Sequence, residues 1–249
     1  MAIRDFEYKP VGLLRGALRI LGSAAAAFAV VGLLSLASLL IRSERVAVNE
    51  LDVSDSSQIA IRSTNSDLKI IEGKSDQLVI RAKVTDGLGS TDYELHRVDN
   101  QVEIVGRCLR WLSPGCGVKV TVAVPKDYPL LIATGSADVR AEGLTDRVVT
   151  IGTGRGDVEG VKLRVQEFSV DSDRGDVSAT FAKAPYALKV TTKDGDITAK
   201  IPYGKIRYLV NVASESGKVD SNLVDAQNGR GIIRLLSESG DISVVQTEW

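Results

Sequence analysis

Apolar and polar residues alternate with a period of two along most of the chain, and the alternation recurs in a repeat marked by an aspartate. Two large apolar residues stand eight and six positions before each marker, a serine or threonine stands four before it, and an apolar residue follows it. Period-two alternation puts one set of side chains on one face of a β-strand, so each copy predicts two strands joined by a corner. The seven marker positions are Asp67, Asp138, Asp157, Asp176, Asp196, Lys218 and Asp241.

The corner itself has a recurrent composition. Glycine adopts backbone conformations that are costly for other residues, and aspartate accepts hydrogen bonds from turn amides. The serine or threonine can satisfy corner backbone groups that lack a partner in the sheet. We therefore interpret these positions as structural corner residues. Five copies have glycine directly before the marker: Gly156, Gly175, Gly195, Gly217 and Gly240.

One two-stranded unit cannot cover its own apolar face, whereas stacked units bury a continuous core. The predicted fold class is all-β, a β-solenoid or β-roll whose repeats over 130–246 stack as successive rungs, within a β-domain that covers 51–249. Parallel stacking is favoured because equivalent residues recur in the same order, and an antiparallel β-sandwich of similar hairpins is the alternative. Asp67 lies 71 residues before Asp138, so an insertion separates the first copy from the others.

Residues 76–128 predict an antiparallel hairpin insertion, because alternating segments at 93–98 and 101–105 flank an Asp-Asn turn. We expect it to cap the first repeats, with a cysteine loop at its edge. Cys108 and Cys116 bracket that short loop, which predicts a disulfide and an oxidising compartment. Two reduced structural thiols are the alternative.

Residues 20–41 carry no charge and are long enough, at ~1.5 Å per residue, to span a hydrocarbon core. We expect one transmembrane helix there, after a cytoplasmic tail over 1–19 and before a linker over 42–50. A buried core helix and a cleaved signal peptide are the alternatives, but the run is longer and more uniformly apolar than either. Basic residues favour a cytoplasmic N-terminus and an extracytoplasmic β-domain, because four precede the segment and two follow it closely: Arg4, Lys9, Arg15, Arg19, Arg42 and Arg45.

Charge and side-chain chemistry argue against several function classes. Lys and Arg number 31 against 32 Asp and Glu, so no basic excess indicates nucleic acid as a partner. His96 is the only histidine, which leaves too few ligands for a zinc site. With the cysteines paired, it also leaves too few groups to supply a nucleophile, a base and an orienting residue together, so we expect no enzymatic activity and no cofactor. Stacked aspartates ~5 Å apart raise the question of calcium, but the denser nonapeptide repeat of calcium-binding solenoids is absent.

Three features together resemble the bacterial putative-adhesin β-strand-repeat family of unknown function. They are the cysteine loop, the Val-Thr-Val-Ala-Val-Pro strand at 120–125, and the reiterated Thr-Gly-x-Gly-Asp-Val and Ser-Glu-Ser-Gly-Asp-Ile units. The resemblance covers most of 50–246 and implies a cell-envelope β-repeat domain, often behind a membrane anchor, with adhesion or envelope sensing as its role. It supplies no catalytic residues, and Lys218 in place of aspartate departs from the pattern.

Two functions are consistent with these expectations. The first is a surface interaction scaffold in the bacterial cell membrane, presenting strand edges and corners to an envelope protein, a wall polymer or another copy of itself. The second is an envelope-stress sensor or regulatory membrane protein, with the β-domain as receiver and residues 1–19 as output. The short tail contains no recognisable signalling domain, which favours the scaffold.

Overall fold

A computed structural model describes residues 31–33, 43–87, 89–98, 101–108 and 115–248. The predicted tail over 1–19 and nearly all of the predicted transmembrane segment over 20–41 lie outside these residues. Within the described part of the chain, no helix has both the length and the apolar character needed to cross a membrane.

The described residues form 19 strands in two sheets. In chain order the strands are β1 (Ser43–Asp52), β2 (Ile59–Thr64), β3 (Asp67–Glu72), β4 (Gln77–Asp86), β5 (Asp92–Val98), β6 (Gln101–Arg107), β7 (Gly117–Val124), β8 (Leu130–Thr134), β9 (Val139–Glu142), β10 (Val148–Arg155), β11 (Val158–Leu163), β12 (Glu167–Arg174), β13 (Val177–Phe181), β14 (Ala187–Asp194), β15 (Ile197–Pro202), β16 (Tyr208–Ser216), β17 (Val219–Ser221), β18 (Gly231–Ser239) and β19 (Ile242–Thr247). The first sheet has the order β1-β4-β7-β3-β9-β11-β13-β15-β19-β17, and the second has the order β16-β18-β14-β12-β10-β8-β2-β6-β5.

Each repeat contributes one strand to the second sheet and, after the corner, one strand to the first; we call this pair a rung. Neighbouring rungs pair in parallel, as β10 does with β8 and β12. Equivalent residues are in register, so Val158 pairs with Val177, which pairs with Ile197. The all-β, parallel-stacked prediction is therefore confirmed, and the antiparallel sandwich is not the observed arrangement.

The apolar positions of the repeat face the space between the two sheets. Val158, Val177 and Ile197 are each only 1% exposed. Phe168 and Phe181 meet edge to face in the same core, with ring centroids 6.0 Å apart. Burial of one such side chain contributes about 1.5–3 kcal/mol, so the continuous column of these residues is the main stabilising element.

The last two rungs are stacked out of sequence order. β18 and β19 insert between β14/β15 and β16/β17, so the rung that holds Lys218 is terminal in space. The prediction of sequential rungs over 130–246 is wrong at this point. The reason is physical: every copy carries the same pattern of inward side chains, so the pattern does not specify which copy lies next to which.

The insertion over 76–128 is only partly antiparallel. β5 and β6 form an antiparallel hairpin, and β4 pairs antiparallel with both β1 and β7. β6 and β7 nevertheless pair in parallel with β2 and β3, which makes them a further rung and corrects the prediction. This rung lacks the repeat marker, since Lys119 lies opposite Asp67, and it could not be recognised from the corner motif.

The predicted linker over 42–50 is also corrected. Residues Ser43–Asp52 form β1, which pairs antiparallel with β4 at the edge of the first sheet. Ala47 and Leu51 pack against the core, whereas Val46 and Val48 are 61% and 51% exposed. Backbone pairing with a distant segment stabilises this strand, and such pairing leaves little trace in the local sequence.

Candidate functional site

The chain passes between the two sheets along two opposite edges. The corner edge contains the repeat markers, at 135–138, 156–157, 175–176, 195–196, 217–218 and 240–241. The loop edge contains the return connections, at 125–129, 143–147, 164–166, 182–186, 203–207 and 222–230. The two edges differ in regularity, chemistry and charge.

The marker aspartates form a hydrogen-bonded ladder along the corner edge. Five of the six marker carboxylates accept a hydrogen bond from the backbone N–H of the marker in the next rung. The five donor-to-acceptor distances are Asp157 N to Asp138 Oδ1 3.0 Å, Asp176 N to Asp157 Oδ1 2.9 Å, Asp196 N to Asp176 Oδ1 2.9 Å, Asp241 N to Asp196 Oδ1 2.7 Å, and Lys218 N to Asp241 Oδ1 2.8 Å. These carboxylates therefore satisfy amides that the corner removes from the regular sheet pairing.

The corner glycines are required by conformation and by space. Gly156 has a φ of +136°, and a Cβ there would lie 2.4 Å from the carbonyl oxygen of Ala137 in the neighbouring rung. Gly175 has a φ of +126°, and its Cβ would lie 2.3 Å from the carbonyl oxygen of Gly156. The same close approach to a carbonyl oxygen occurs at Gly195, Gly217 and Gly240.

The hydroxyl positions of the repeat divide into two groups. Ser63 donates to the carbonyl of Ser66 at 2.9 Å, and Ser214 donates to the carbonyl of Gly240 at 2.7 Å, which is the corner role predicted for them. In the middle rungs, the buried hydroxyls of Thr153, Ser172 and Thr192 have no hydrogen-bond partner among the described residues. Buried inside the stack, they are not accessible to a ligand.

The two cysteines lie where the corner motif is missing. Cys108 and Cys116 are joined by a disulfide, with their Cα atoms 6.2 Å apart. The bond closes the connection between β6 and β7, the rung that lacks a marker residue. A covalent link therefore replaces the hydrogen-bonded corner in this rung.

A buried cluster of charged side chains stabilises the loop edge near β3. Arg147 donates to the carbonyls of Pro125 at 2.9 Å and Thr145 at 3.1 Å, and its Nη2 lies 3.6 Å from Oε2 of Glu72. Burial lowers the pKa of the Arg147 guanidinium, and the charges of Glu72 and Asp127 oppose that shift. Because the guanidinium is enclosed and tied to backbone carbonyls, we interpret the cluster as structural.

An open groove of about 320 Å³ lies on the loop edge, between the connections at 164–166, 182–186 and 203–207. Tyr186 and Tyr203 line it, and each is 60% exposed. Its apolar lining includes Val165, Ala182, Ala184, Pro202 and Ile206. Both tyrosines lie outside the repeat pattern, and the sequence analysis did not identify them.

The backbone beneath the groove is held by hydrogen bonds. Tyr186 N donates to the carbonyl of Gln166 at 2.8 Å, and Tyr203 N donates to the carbonyl of Thr247 at 3.2 Å. The hydroxyl of Tyr208 donates to the carbonyl of Pro185 at 2.7 Å, and burial raises the pKa of Tyr208 to about 12. The groove is therefore formed by anchored connections.

The two edges carry different patterns of charge. On the corner edge the exposed marker aspartates alternate with exposed basic residues such as Arg155 and Arg174, whereas the connections around the groove carry exposed basic residues and no acidic ones. Of the acidic residues in the other connections of the loop edge, Asp146 pairs with Lys183 at 2.9 Å, and Asp225 accepts a hydrogen bond from Val210 N at 3.0 Å. The chain as a whole is close to neutral, but the loop edge near the groove is basic. Its exposed basic residues are Arg164, Lys183, Lys205, Arg207 and Arg230.

Comparison with known proteins bears on the fold and the family. Among solved structures, the chain is similar to "a putative cell adhesion protein" from Clostridium sporogenes, with 11% identity, 82% of this chain and 100% of that chain covered, and a TM-score of 0.47. It is also similar to "a putative adhesin" from Bacteroides fragilis, with 10% identity, 82% and 98% coverage, and a TM-score of 0.38. No curated protein matches the chain. The family model described as Toastrack DUF4097 matches residues 56–248, which is most of the chain and agrees with the resemblance noted in the sequence, and the chain therefore belongs to the Toastrack DUF4097 family.

Proposed function

We propose that this chain is a non-enzymatic interaction scaffold of the bacterial cell envelope, anchored to the membrane by residues 20–41, whose β-domain binds an extracytoplasmic partner on its loop edge. The observation that carries the proposal is the groove with two exposed tyrosines, Tyr186 and Tyr203, on anchored connections. Exposed aromatic side chains in a concave, largely apolar site are typical of binding surfaces.

The structure of the corner edge supports the assignment of binding to the loop edge. Its aspartates accept hydrogen bonds from the next rung, and its glycines leave no space for a side chain. Residues engaged in this way stack the rungs. The repeat is therefore the scaffold, and the variable connections of the opposite edge carry the binding surface.

The arrangement of chemically active groups favours binding over catalysis. His96 lies on β5, with its Nε2 3.2 Å from Glu94 Oε2, and both side chains are about half exposed. The unpartnered hydroxyls of Thr153, Ser172 and Thr192 are enclosed between the sheets. A nucleophilic mechanism needs an accessible hydroxyl or thiol next to a base, and neither His96 nor these three enclosed hydroxyls forms such a pair.

The anchor would orient the domain relative to the membrane. β1 begins at Ser43, directly after the proposed span, and lies at the end of the first sheet farthest from β17. Eight rungs at ~4.8 Å spacing have a length of roughly 35 Å, so the last rungs, next to the groove, would stand away from the bilayer.

Site-specific photo-crosslinking in living cells tests this function. A benzoylphenylalanine replacing Tyr203 in the full-length protein is expected to crosslink to an extracytoplasmic component. The same group at Glu238, an exposed residue of the corner region, is the matched control and should give no such product. Equal crosslinking at both positions, or crosslinks from position 203 to cytoplasmic proteins only, would contradict the proposal.

A further inference from the structure

We propose that the groove on the loop edge binds an acidic polysaccharide, with sugar rings against the faces of Tyr186 and Tyr203 and uronate carboxylates on the surrounding basic side chains. The inference rests on the proposed function and specifies the chemical class of the partner.

The groove lies beside the displaced rung. The connection at 203–207 leads from β15 to β16 and passes over the position that β18 occupies. Gly231 N, at the start of β18, donates to the carbonyl of Arg207 at 3.0 Å, and Ile232 N donates to the carbonyl of Tyr186 at 2.9 Å. Both tyrosine-bearing connections are therefore hydrogen-bonded to the start of β18.

The tyrosines present flat aromatic faces at little entropic cost. Each ring is 60% exposed, and its backbone is already fixed by hydrogen bonds. The face of an aromatic ring carries negative potential and attracts the C–H groups on the face of a sugar ring. A binding site that is ordered before its ligand arrives loses less entropy on association.

The charge around the groove selects for an acidic ligand. Arg164, Lys205 and Arg207 are exposed and form no ion pair with an acidic side chain among the described residues. The neighbouring Asp225 is already engaged by Val210 N. A neutral glycan would leave these cations without a counter-charge, whereas carboxylates along a polyuronate can pair with them. The combination of stacking faces and localised cations therefore favours a carboxylated sugar chain.

The test measures binding of polygalacturonate to the full-length protein in lipid nanodiscs, with neutral dextran as the matched polymer. We expect polygalacturonate to bind, its affinity to fall with added salt, and dextran not to bind. Tyr203→Ala and Lys205→Ala should each weaken binding about tenfold, the size of losing one stacking or charge contact. Lys193→Ala, at an exposed lysine on the corner side, should leave binding unchanged, and unaltered melting temperatures would show that the variants fold.

Equal binding of dextran, or no binding of polygalacturonate at low salt, would overturn the inference. The inference would also be overturned if poly-glutamate or duplex DNA displaced polygalacturonate equally well from the parent protein and from Tyr203→Ala. Charge alone would then explain the association. The photo-crosslinking experiment distinguishes failure of this inference from failure of the proposed function. Crosslinks from position 203 without polygalacturonate binding would refute only the polysaccharide ligand. Failure of both experiments would refute the scaffold function.

Discussion

The backbone amide of Asp176 donates a 2.9 Å hydrogen bond to Oδ1 of Asp157 in the neighbouring rung. The same relationship continues along the corner edge and ends when Lys218 N donates to Asp241 at 2.8 Å. Among the described residues no rung stacks beyond Lys218, so a carboxylate there would have no amide to accept from. An aspartate would only add negative charge to the column, and this accounts for the lysine.

The first prediction concerns that ladder. Asp157→Ala should lower the free energy of unfolding by about 1 kcal/mol, because the amide of Asp176 loses its acceptor. Asp157→Asn should be close to neutral, since the amide oxygen still accepts the bond. Chemical denaturation of both variants provides the measurement. A chelator that lowers the melting temperature of the parent protein but not of Asp157→Asn would instead indicate a calcium site.

The second prediction compares two glycines of the same stack. Gly175→Ala should destabilise the protein by well over 1 kcal/mol, because the new methyl group would lie 2.3 Å from a carbonyl oxygen at a φ of +126°. Gly152→Ala is the matched control, with no atom within 4 Å of the added Cβ, and should change stability by less than about 0.5 kcal/mol. Thermal unfolding distinguishes them, and equal losses at both positions would refute the tight corner.

A third prediction addresses the disulfide. Protein isolated from the membrane and alkylated without reduction should show Cys108 and Cys116 joined in mass spectra. Cys108→Ser should lower stability by roughly 2.5 kcal/mol, the chain-entropy value for so short a loop. Recovery of both cysteines in alkylated form would reject the bond, and with it this argument for an oxidising compartment.

The fourth prediction concerns topology. Alkaline phosphatase fused after Trp249 should be active, because the basic residues before residue 20 favour a cytoplasmic N-terminus. A green fluorescent protein fusion at the same place is the complementary control and should not be fluorescent. The reverse pattern would place the β-domain in the cytoplasm.

The sequence by itself determined which side chains face the core and where the chain turns. Val158, Val177 and Ile197 follow from alternation, and their pairing in register follows from their equivalent places in the repeat. Gly175 and Asp176 at the corner follow from their recurrence. These properties are local, because the direction of a side chain depends on the few residues around it.

Only the tertiary structure decided which copies are neighbours. The rung that holds Lys218 lies beyond the rung of β18 and β19, although β18 and β19 come last in the sequence. β6 and β7 form a further rung, and β1 pairs with β4. The tertiary structure also brought Tyr186 and Tyr203 to one groove from connections that share no motif. The physical reason is that backbone hydrogen bonds between strands are nearly independent of side-chain identity, so similar copies do not encode their own order or which of their connections line a groove.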